Sequence, residues 1–436
     1  MTTLEITVEK LVYGGDGLAR LKSDEQRAQT VFVPFVLPGE RVEARVVDQQ
    51  RGLVRARLER VLQASEFRTD PPCPYFGRCG GCQYQHIDYD AQLRFKSEIL
   101  RETMRRTAKL DLAIEIQLHP SPPLHYRNRT RFHVGHKPQF SIGYFRPGSH
   151  ELLSVRQCPI SSPLINRALE VLWNSGEAGR VPTEIGEVEL FANANYEKAL
   201  VELYLNASSY NRDGLIAFAR ELATPMPEVQ GLVAFPKWHP AGRQDKAPQP
   251  DLLFGEKIMK YDVGSETYRI SAGAFFQTNR YLLPQMVELV VDDRSGRIAL
   301  DLYSGVGLFA VPLARRFERV VAVESSPISA ADLRSNVPGN VKVSSQSTEA
   351  YLESAAGTLK PDFIVVDPPR AGLGTAVCAQ LSKLRAQNMT YVSCDPATLA
   401  RDLKQLISGG WQISQMHLID LFPQTFHIET CVMLRR

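Results

Sequence analysis

The spacing of apolar positions divides the chain into three stretches. Over residues 1–63 short β-rich runs alternate with turns: Gly14-Gly15-Asp16-Gly17, Val31-Phe32-Val33, Pro38-Gly39-Glu40, Val42 to Val47 and Val54 to Val61. Five short strands with glycine and proline turns predict a small β-barrel, for which an OB-like closure is natural. Any small barrel shares this pattern, so alone it carries no function. From 64 to about 265 come a cysteine-rich loop, Cys73 to Cys82, a helix from about Tyr89 to Ala108, and strand-rich sequence with an irregular loop at Ala241 to Pro250. After Ala274 the pattern changes. Apolar runs at Ile298–Leu302, Val320–Val323, Val341–Ser344, Phe363–Val366 and Thr390–Ser393 alternate with helical stretches. Such alternation predicts a parallel, doubly wound α/β sheet.

Composition adds little globally and more locally. A chain of 436 residues, 44% hydrophobic and 23% charged, can bury sizeable cores in about three domains. The formal charge of +3 excludes nothing. Locally, Arg127, Arg129, Arg131, Lys137 and Arg146 fall in a stretch without acids, interleaved with Tyr126, Phe132, Phe140, Tyr144 and Phe145. Aromatic faces stack bases while arginines hold phosphates, so this cluster points to nucleic acid against the alternative of a solvated face. Arg51, Arg55, Arg57 and Arg60 form a second cluster. The first ten residues carry Glu5 and Glu9 and lack an apolar core, unlike a signal peptide, and apolar runs are too short to span a membrane. The expected location is cytoplasmic, where seven cysteines imply metal or catalytic use before disulfides.

Ile298–Leu302 runs into Tyr303-Ser304-Gly305-Val306-Gly307-Leu308-Phe309-Ala310. Its glycines permit a tight turn and let backbone approach a ligand at the start of the next helix. Glu324, ending the second strand, is placed to take both hydroxyls of a ribose. This pattern alone also fits a dinucleotide site. Phe363–Val366 is followed by Asp367-Pro368-Pro369-Arg370, an acid on a stiff loop at the ligand-binding edge of the sheet. Nucleobase methyltransferases place such a loop beside the base. Arg370 stands where amino-group methyltransferases carry an aromatic residue, which points to a carbon target.

Cys394 lies between the strand ending at Ser393 and a helix opened by Asp395-Pro396. A thiol at a helix N-terminus is expected to have a lowered pKa. Carbon 5 of uracil is a poor nucleophile until something adds to carbon 6, and a thiolate can do this. A base must then remove the carbon-5 proton, and Glu429 in His427-Ile428-Glu429 is the candidate. Cys378 and Cys431 read as buried apolar thiols.

These motifs together resemble the RNA uracil-5 methyltransferase family, in its TRAM-bearing iron–sulfur branch acting on 23S ribosomal RNA, over essentially the whole chain. The resemblance implies a Rossmann-like S-adenosylmethionine-dependent domain at 266–436, a TRAM barrel binding RNA at 1–63, and a β-rich iron–sulfur domain at 64–265 whose helix, about 85–114, packs on the catalytic domain. It implies Cys394 as nucleophile, Glu429 as base, and Gln277, Tyr303, Gly305, Glu324 and Asp367 at the cofactor. Cys73, Cys79, Cys82 and Cys158 match the family's 4Fe–4S ligands; by spacing alone zinc and iron–sulfur stand equal. Leu308 stands where some members have asparagine, and Gln346-Ser347 where many methyltransferases have an acid near the adenine. A monomer acting on a flipped-out uridine of ribosomal RNA is expected, with the T-loop of transfer RNA as the alternative substrate. Two other classes compete, a non-catalytic RNA chaperone and a dinucleotide oxidoreductase.

Overall fold

The computed structural model describes residues 2–21, 29–237, 249–355 and 359–436; most of the predicted loop at 241–250 lies outside them. The N-terminal strands form a six-stranded sheet, in the order Thr3–Thr7, Arg41–Gln50, Leu53–Gln63, Gln29–Pro34, Asp16–Leu21, Lys10–Leu11. The alternation read from the sequence is realised literally. Val42, Ala44, Val54 and Ala56 point into a core with Val31 and Val33, while Arg55 and Arg57 face out. Six strands appear instead of five because Lys10–Leu11 is too short to show a period.

A seven-stranded central sheet runs Leu152–Ser154, Ser141–Phe145, Arg129–Gly135, Ile185–Ala192, Ala199–Leu205, Val229–Phe235, Asp251–Gly255. Helices Pro163–Glu177 and Arg212–Ala223 share its apolar core, contributing Leu169, Leu172, Phe218 and Leu222.

The catalytic sheet has eight strands, ordered Val341–Ser344, Phe317–Val323, Gly296–Leu302, Phe363–Val366, Asn388–Ser393, Glu429–Arg435, Gln412–Ile419, Ile116–His119. The first five are parallel, and Glu429–Arg435 enters antiparallel between Asn388–Ser393 and Gln412–Ile419. Phe363–Val366 is buried at every position, which explains why an unbroken apolar run marked it. The last strand comes from upstream: Ile116–His119 pairs parallel with Gln412–Ile419. Helix Tyr89–Thr103, capped by Asp88 and continued by a π turn Met104–Ala108, buries Ile99, Leu100 and Met104 in one core with Leu399, Leu403 and Leu406. The hairpin Ile258–Val263/Glu266–Ser271 straddles the expected boundary at 265, and its Met259, Tyr261 and Ile270 share a core with Val320 and Val365. Among the described residues no helix is long and apolar enough to cross a membrane.

Candidate active site

Parallel pairing brings four strand ends to one edge. Leu302 lies opposite Val323 and Val366, and Val366 opposite Tyr391. The residues that follow, Tyr303, Glu324, Asp367 and Cys394, therefore gather where open α/β sheets bind ligands. Tyr303 turns the chain with a φ of 62°, and Gly305 and Gly307 follow at 56° and 102°. Glu324 closes this loop, accepting from Gly305 N at 2.8 Å and Ser326 N at 2.6 Å. A Cβ on Gly305 would meet nothing within 4 Å, whereas one on Gly307 would come 2.9 Å from Leu333 Cδ1. Gly305 thus borders open space and Gly307 a packed side chain. The helix expected after this loop is a single turn, Ala310–Leu313. Its dipole adds little to anion binding. Beneath the loop Asp301 is fully buried, and burial pushes its pKa up to about 8, with Ser304 and the Ala310 backbone opposing.

Gln277 is buried in Phe275–Asn279, a segment held by Asn279 donating to Ser121 Oγ at 2.9 Å and Leu421 O at 3.1 Å. Its neighbour Phe276 packs in the core that holds Leu308 and Phe309 of the glycine loop.

Ser393 pairs with Thr430 across the antiparallel ladder. Continuing that register by one residue sets Cys394 opposite Glu429, and residues directly opposite share a face. Glu429 is buried, and burial first, then the Asp367 charge, raises its pKa well above the carboxylate range. Burial likewise raises Asp367 to about 7. Cys394 is half-buried and pushed up to about 12, by burial first and then by Glu429 and Asp367, with Arg370 pulling the other way. The expected low-pKa thiol is therefore corrected. Asp395 caps the following helix Pro396–Ser408, and its Oδ1 takes the N–H groups of Ala397 at 3.0 Å and Thr398 at 2.9 Å. Those are the donors that would otherwise favour a thiolate.

Other contacts fix this arrangement. Buried Asp402 accepts from Leu373 N at 2.7 Å and Tyr391 OH at 2.8 Å, and Arg401 Nη2 donates to Ala371 O at 2.7 Å. Together they bolt the Cys394 helix to the loop after Arg370. Arg370 Nη2 lies 3.5 Å from both ring nitrogens of His427, whose pKa burial and Arg370 push down to about 4. The segment before Glu429 is anchored by Lys96, whose Nζ donates to Asp420 Oδ1 at 2.6 Å and Phe422 O at 3.0 Å. Gln424 O accepts from Gln83 N and Tyr84 N, just after Cys82.

Cys73, Cys79, Cys82 and Cys158 line one cavity of about 470 Å³ together with Arg127, and all four are free thiols. Burial raises Cys79 to about 11 and Cys82 to about 12, and the neighbouring cysteines add to both. Among the described residues no group of three or more His, Cys, Asp or Glu stands as a preformed site for a single metal ion.

Three of the five basic residues of the first cluster are ion-paired within the protein. Arg129 is buried against Glu189 and Glu202, and Arg131 pairs with Glu187 and Glu189. Phe132 lies in the central core, buried Tyr126 donates to Pro423 O at 3.0 Å, and Arg146 pairs with Glu151. On the barrel, Arg51, Arg55 and Arg57 are exposed, while Arg60 is bonded to Glu43.

The sequence pattern of the tRNA (Uracil-5-)-methyltransferase family matches residues 256–436, and that of the TRAM domain residues 1–58. An uncharacterized RNA methyltransferase of Aquifex aeolicus is 33% identical, with 99% of this chain and 98% of its own length covered. The 23S rRNA (uracil(1939)-C(5))-methyltransferase RlmD of Vibrio parahaemolyticus is 30% identical over 99% of this chain and 95% of its own. In structure, the Pyrococcus abyssi tRNA (uracil-54, C5)-methyltransferase bound to S-adenosyl-L-homocysteine superposes with a TM-score of 0.75, at 25% identity and 99% coverage of both chains. The likeness runs through barrel, central sheet and catalytic sheet alike, and the chain belongs to the RNA uracil-5 methyltransferase family.

Proposed function

We propose that this enzyme transfers a methyl group from S-adenosylmethionine to carbon 5 of one uridine in 23S ribosomal RNA, through covalent addition of Cys394 to carbon 6. The carrying observation is the register that sets Cys394 and Glu429 on one face at the sheet edge, beside Asp367. The Vibrio relative favours ribosomal RNA. The archaeal structure keeps the T-loop of transfer RNA as the alternative. The reaction is placed in the cytoplasm and assigned to a monomer.

Bound S-adenosylmethionine supplies an electrophilic methyl group. The chain fits it: Gly305 borders open space, and Glu324 is placed for the ribose hydroxyls. Tyr303, Gln277 and Asp367 would complete the site.

Cys394 gives up its proton to water as sulfur bonds carbon 6, a step that the Arg370 guanidinium eases by favouring negative charge. Carbon 5, now nucleophilic, takes the methyl group as its bond to the sulfonium sulfur breaks, which leaves S-adenosylhomocysteine. Glu429 then removes the proton from carbon 5, and the thiolate leaves. Glu429 must be ionised when that step comes, and the burial that raises its pKa then makes it the stronger base toward the carbon-5 proton. Cys73, Cys79, Cys82 and Cys158 would hold a 4Fe–4S cluster, tying the cysteine loop to the central sheet; four thiols around one cavity suit a polynuclear centre. Anaerobically purified protein should then carry about four irons per chain, and a colourless chain with one zinc would exclude it.

Cys394→Ala should abolish both methyl transfer and the adduct with RNA containing 5-fluorouracil, whose fluorine cannot leave as a proton does. Glu429→Gln should instead accumulate a methylated adduct on ordinary RNA. An active Cys394→Ala enzyme overturns the mechanism, and an RNA chaperone would show no methyl transfer at all.

A further inference from the structure

Three parts of the chain meet in one buried glutamine. Gln92 sits in the first turn of helix Tyr89–Thr103, where its backbone N–H donates to Asp88 O at 2.9 Å. Its side chain is fully buried. Nε2 donates to Ile87 O at 2.9 Å and Tyr84 O at 3.2 Å, just past the cysteine loop, and to Gln424 Oε1 at 3.0 Å. Oε1 accepts from Gln424 N at 3.0 Å. The amide fits only one way round, since its oxygen faces an N–H and its nitrogen faces three carbonyl oxygens. Gln424 is also tied by its own backbone. Its carbonyl accepts from Gln83 N at 3.0 Å and Tyr84 N at 2.9 Å, the two residues directly after Cys82. Its φ of 68° is a left-handed backbone, which a residue with a Cβ keeps only where its surroundings hold it.

Glu429 stands five residues further on, as the first residue of its strand. From Thr430 onward the ladder with Asn388–Ser393 fixes that strand, so the placement of Glu429 depends on how the chain enters it. Cys394 is held separately, by the contacts of Asp402 and Arg401 to the loop after Arg370, and none of these contacts involves Gln92 or Gln424.

We propose that Gln92 is a positioning residue for the second half of the reaction: by fixing Gln424 against the cysteine loop it fixes the lead-in to Glu429, and with it removal of the carbon-5 proton. The cysteine loop then bears on release of the methylated uridine and not on addition to it. This rests on Glu429 being the base.

The test uses the full chain, S-adenosylmethionine and two 23S ribosomal RNA transcripts, one made with 5-fluorouridine and one with uridine tritiated at carbon 5. Adduct formation on the first reads addition and methylation. Tritium released to water from the second reads proton removal, and both are followed in a single turnover at saturating RNA. Gln92→Met keeps the length of the side chain and removes its hydrogen bonds to Tyr84, Ile87 and Gln424. Adduct formation should stay within about twofold of wild type. Tritium release should slow on the order of tenfold, because misplacing a reacting group by about 1 Å costs up to roughly a hundredfold. Methylated adduct should then accumulate on ordinary RNA. Gln92→Glu keeps the acceptor for Gln424 N and loses the donor, so it should show the same split more weakly, and it carries the test if the methionine variant does not fold. Equal slowing of both steps marks a general loss of structure and overturns the proposal. So does tritium release at the wild-type rate. If Glu429→Gln releases tritium as fast as wild type, the assignment of the base falls instead, a distinguishable result.

Discussion

Replacing Lys96 by methionine tests how the segment carrying Glu429 is held. Lys96 is fully buried, and burial lowers its pKa while Asp420, also buried, opposes that. It donates to Asp420 Oδ1 at 2.6 Å and Phe422 O at 3.0 Å; Asp420 Oδ2 also accepts from Tyr89 OH at 3.0 Å. Methionine has nearly the same reach, so packing changes little and the loss is electrostatic. Removing one partner of a buried pair costs about 3–5 kcal/mol, most of it for the charge left behind. Here Tyr89 still serves Asp420, and Phe422 O keeps Thr425 Oγ1 at 2.8 Å. The lower end, about 3 kcal/mol, is therefore expected. Hydrogen exchange of the amides from Phe422 to Glu429 would read this locally, as roughly a hundredfold faster exchange where opening of the segment limits it. Lys96→Met with Asp420→Asn should recover much of the loss, because no charge remains buried. Exchange within threefold of wild type, or a double variant as weak as the sum of the singles, would refute the argument.

Three further outcomes are expected. Asp367 is raised to about 7, so it holds its proton more tightly folded than unfolded; its stabilisation is complete below about pH 4 and lost as pH rises through 7. Urea titrations across that range should show a shallower decline for Asp367→Asn, and the rise in S-adenosylmethionine affinity with pH expected of wild type should vanish in calorimetry. Gly305→Ala should cost only about 1–2 kcal/mol for its left-handed backbone yet weaken S-adenosylmethionine at least tenfold, whereas Gly307→Ala, pressed on Leu333, should cost mainly stability. Replacing Arg51, Arg55 and Arg57 together by alanine should flatten the salt dependence of RNA binding by about two units, measured by filter binding, and replacing Arg129 should instead unfold the central domain.

What the sequence made legible follows from how local each signal is. The five parallel strands were readable because each is a short apolar run that needs no partner to be recognised, Phe363–Val366 above all. Gathering Tyr303, Glu324, Asp367 and Cys394 at one edge follows from strand order and period alone. Ile116–His119 was not legible: only Ile116 of its four residues is buried, and its pairing partner lies near the other end of the chain. Arginines at 127, 129 and 131 look alike in a sequence, whether they meet phosphate or Glu189; long-range pairing alone decides. The thiol was misjudged for a similar reason. A helix start is visible locally, but the burial of the thiol, and after it the carboxyl groups of Glu429 and Asp367, arrive with other strands.

The upstream strand has a consequence for dissection and synthesis of the chain. Residues 256–436 look like a portable module, yet a fragment cut there would lack both Ile116–His119 and the helix that buries Ile99, Leu100 and Met104. Gln412–Ile419 would become a naked edge beside a stripped apolar face, a template for strand addition between copies. Expressed alone, such a fragment should precipitate, and supplying residues 64–120 as a separate polypeptide should rescue its solubility. On the ribosome the same geometry imposes an order. Helix Tyr89–Thr103 and Ile116–His119 emerge some three hundred residues before Gln412–Ile419 and Glu429–Arg435, and must keep their apolar faces covered until those strands close the sheet around them.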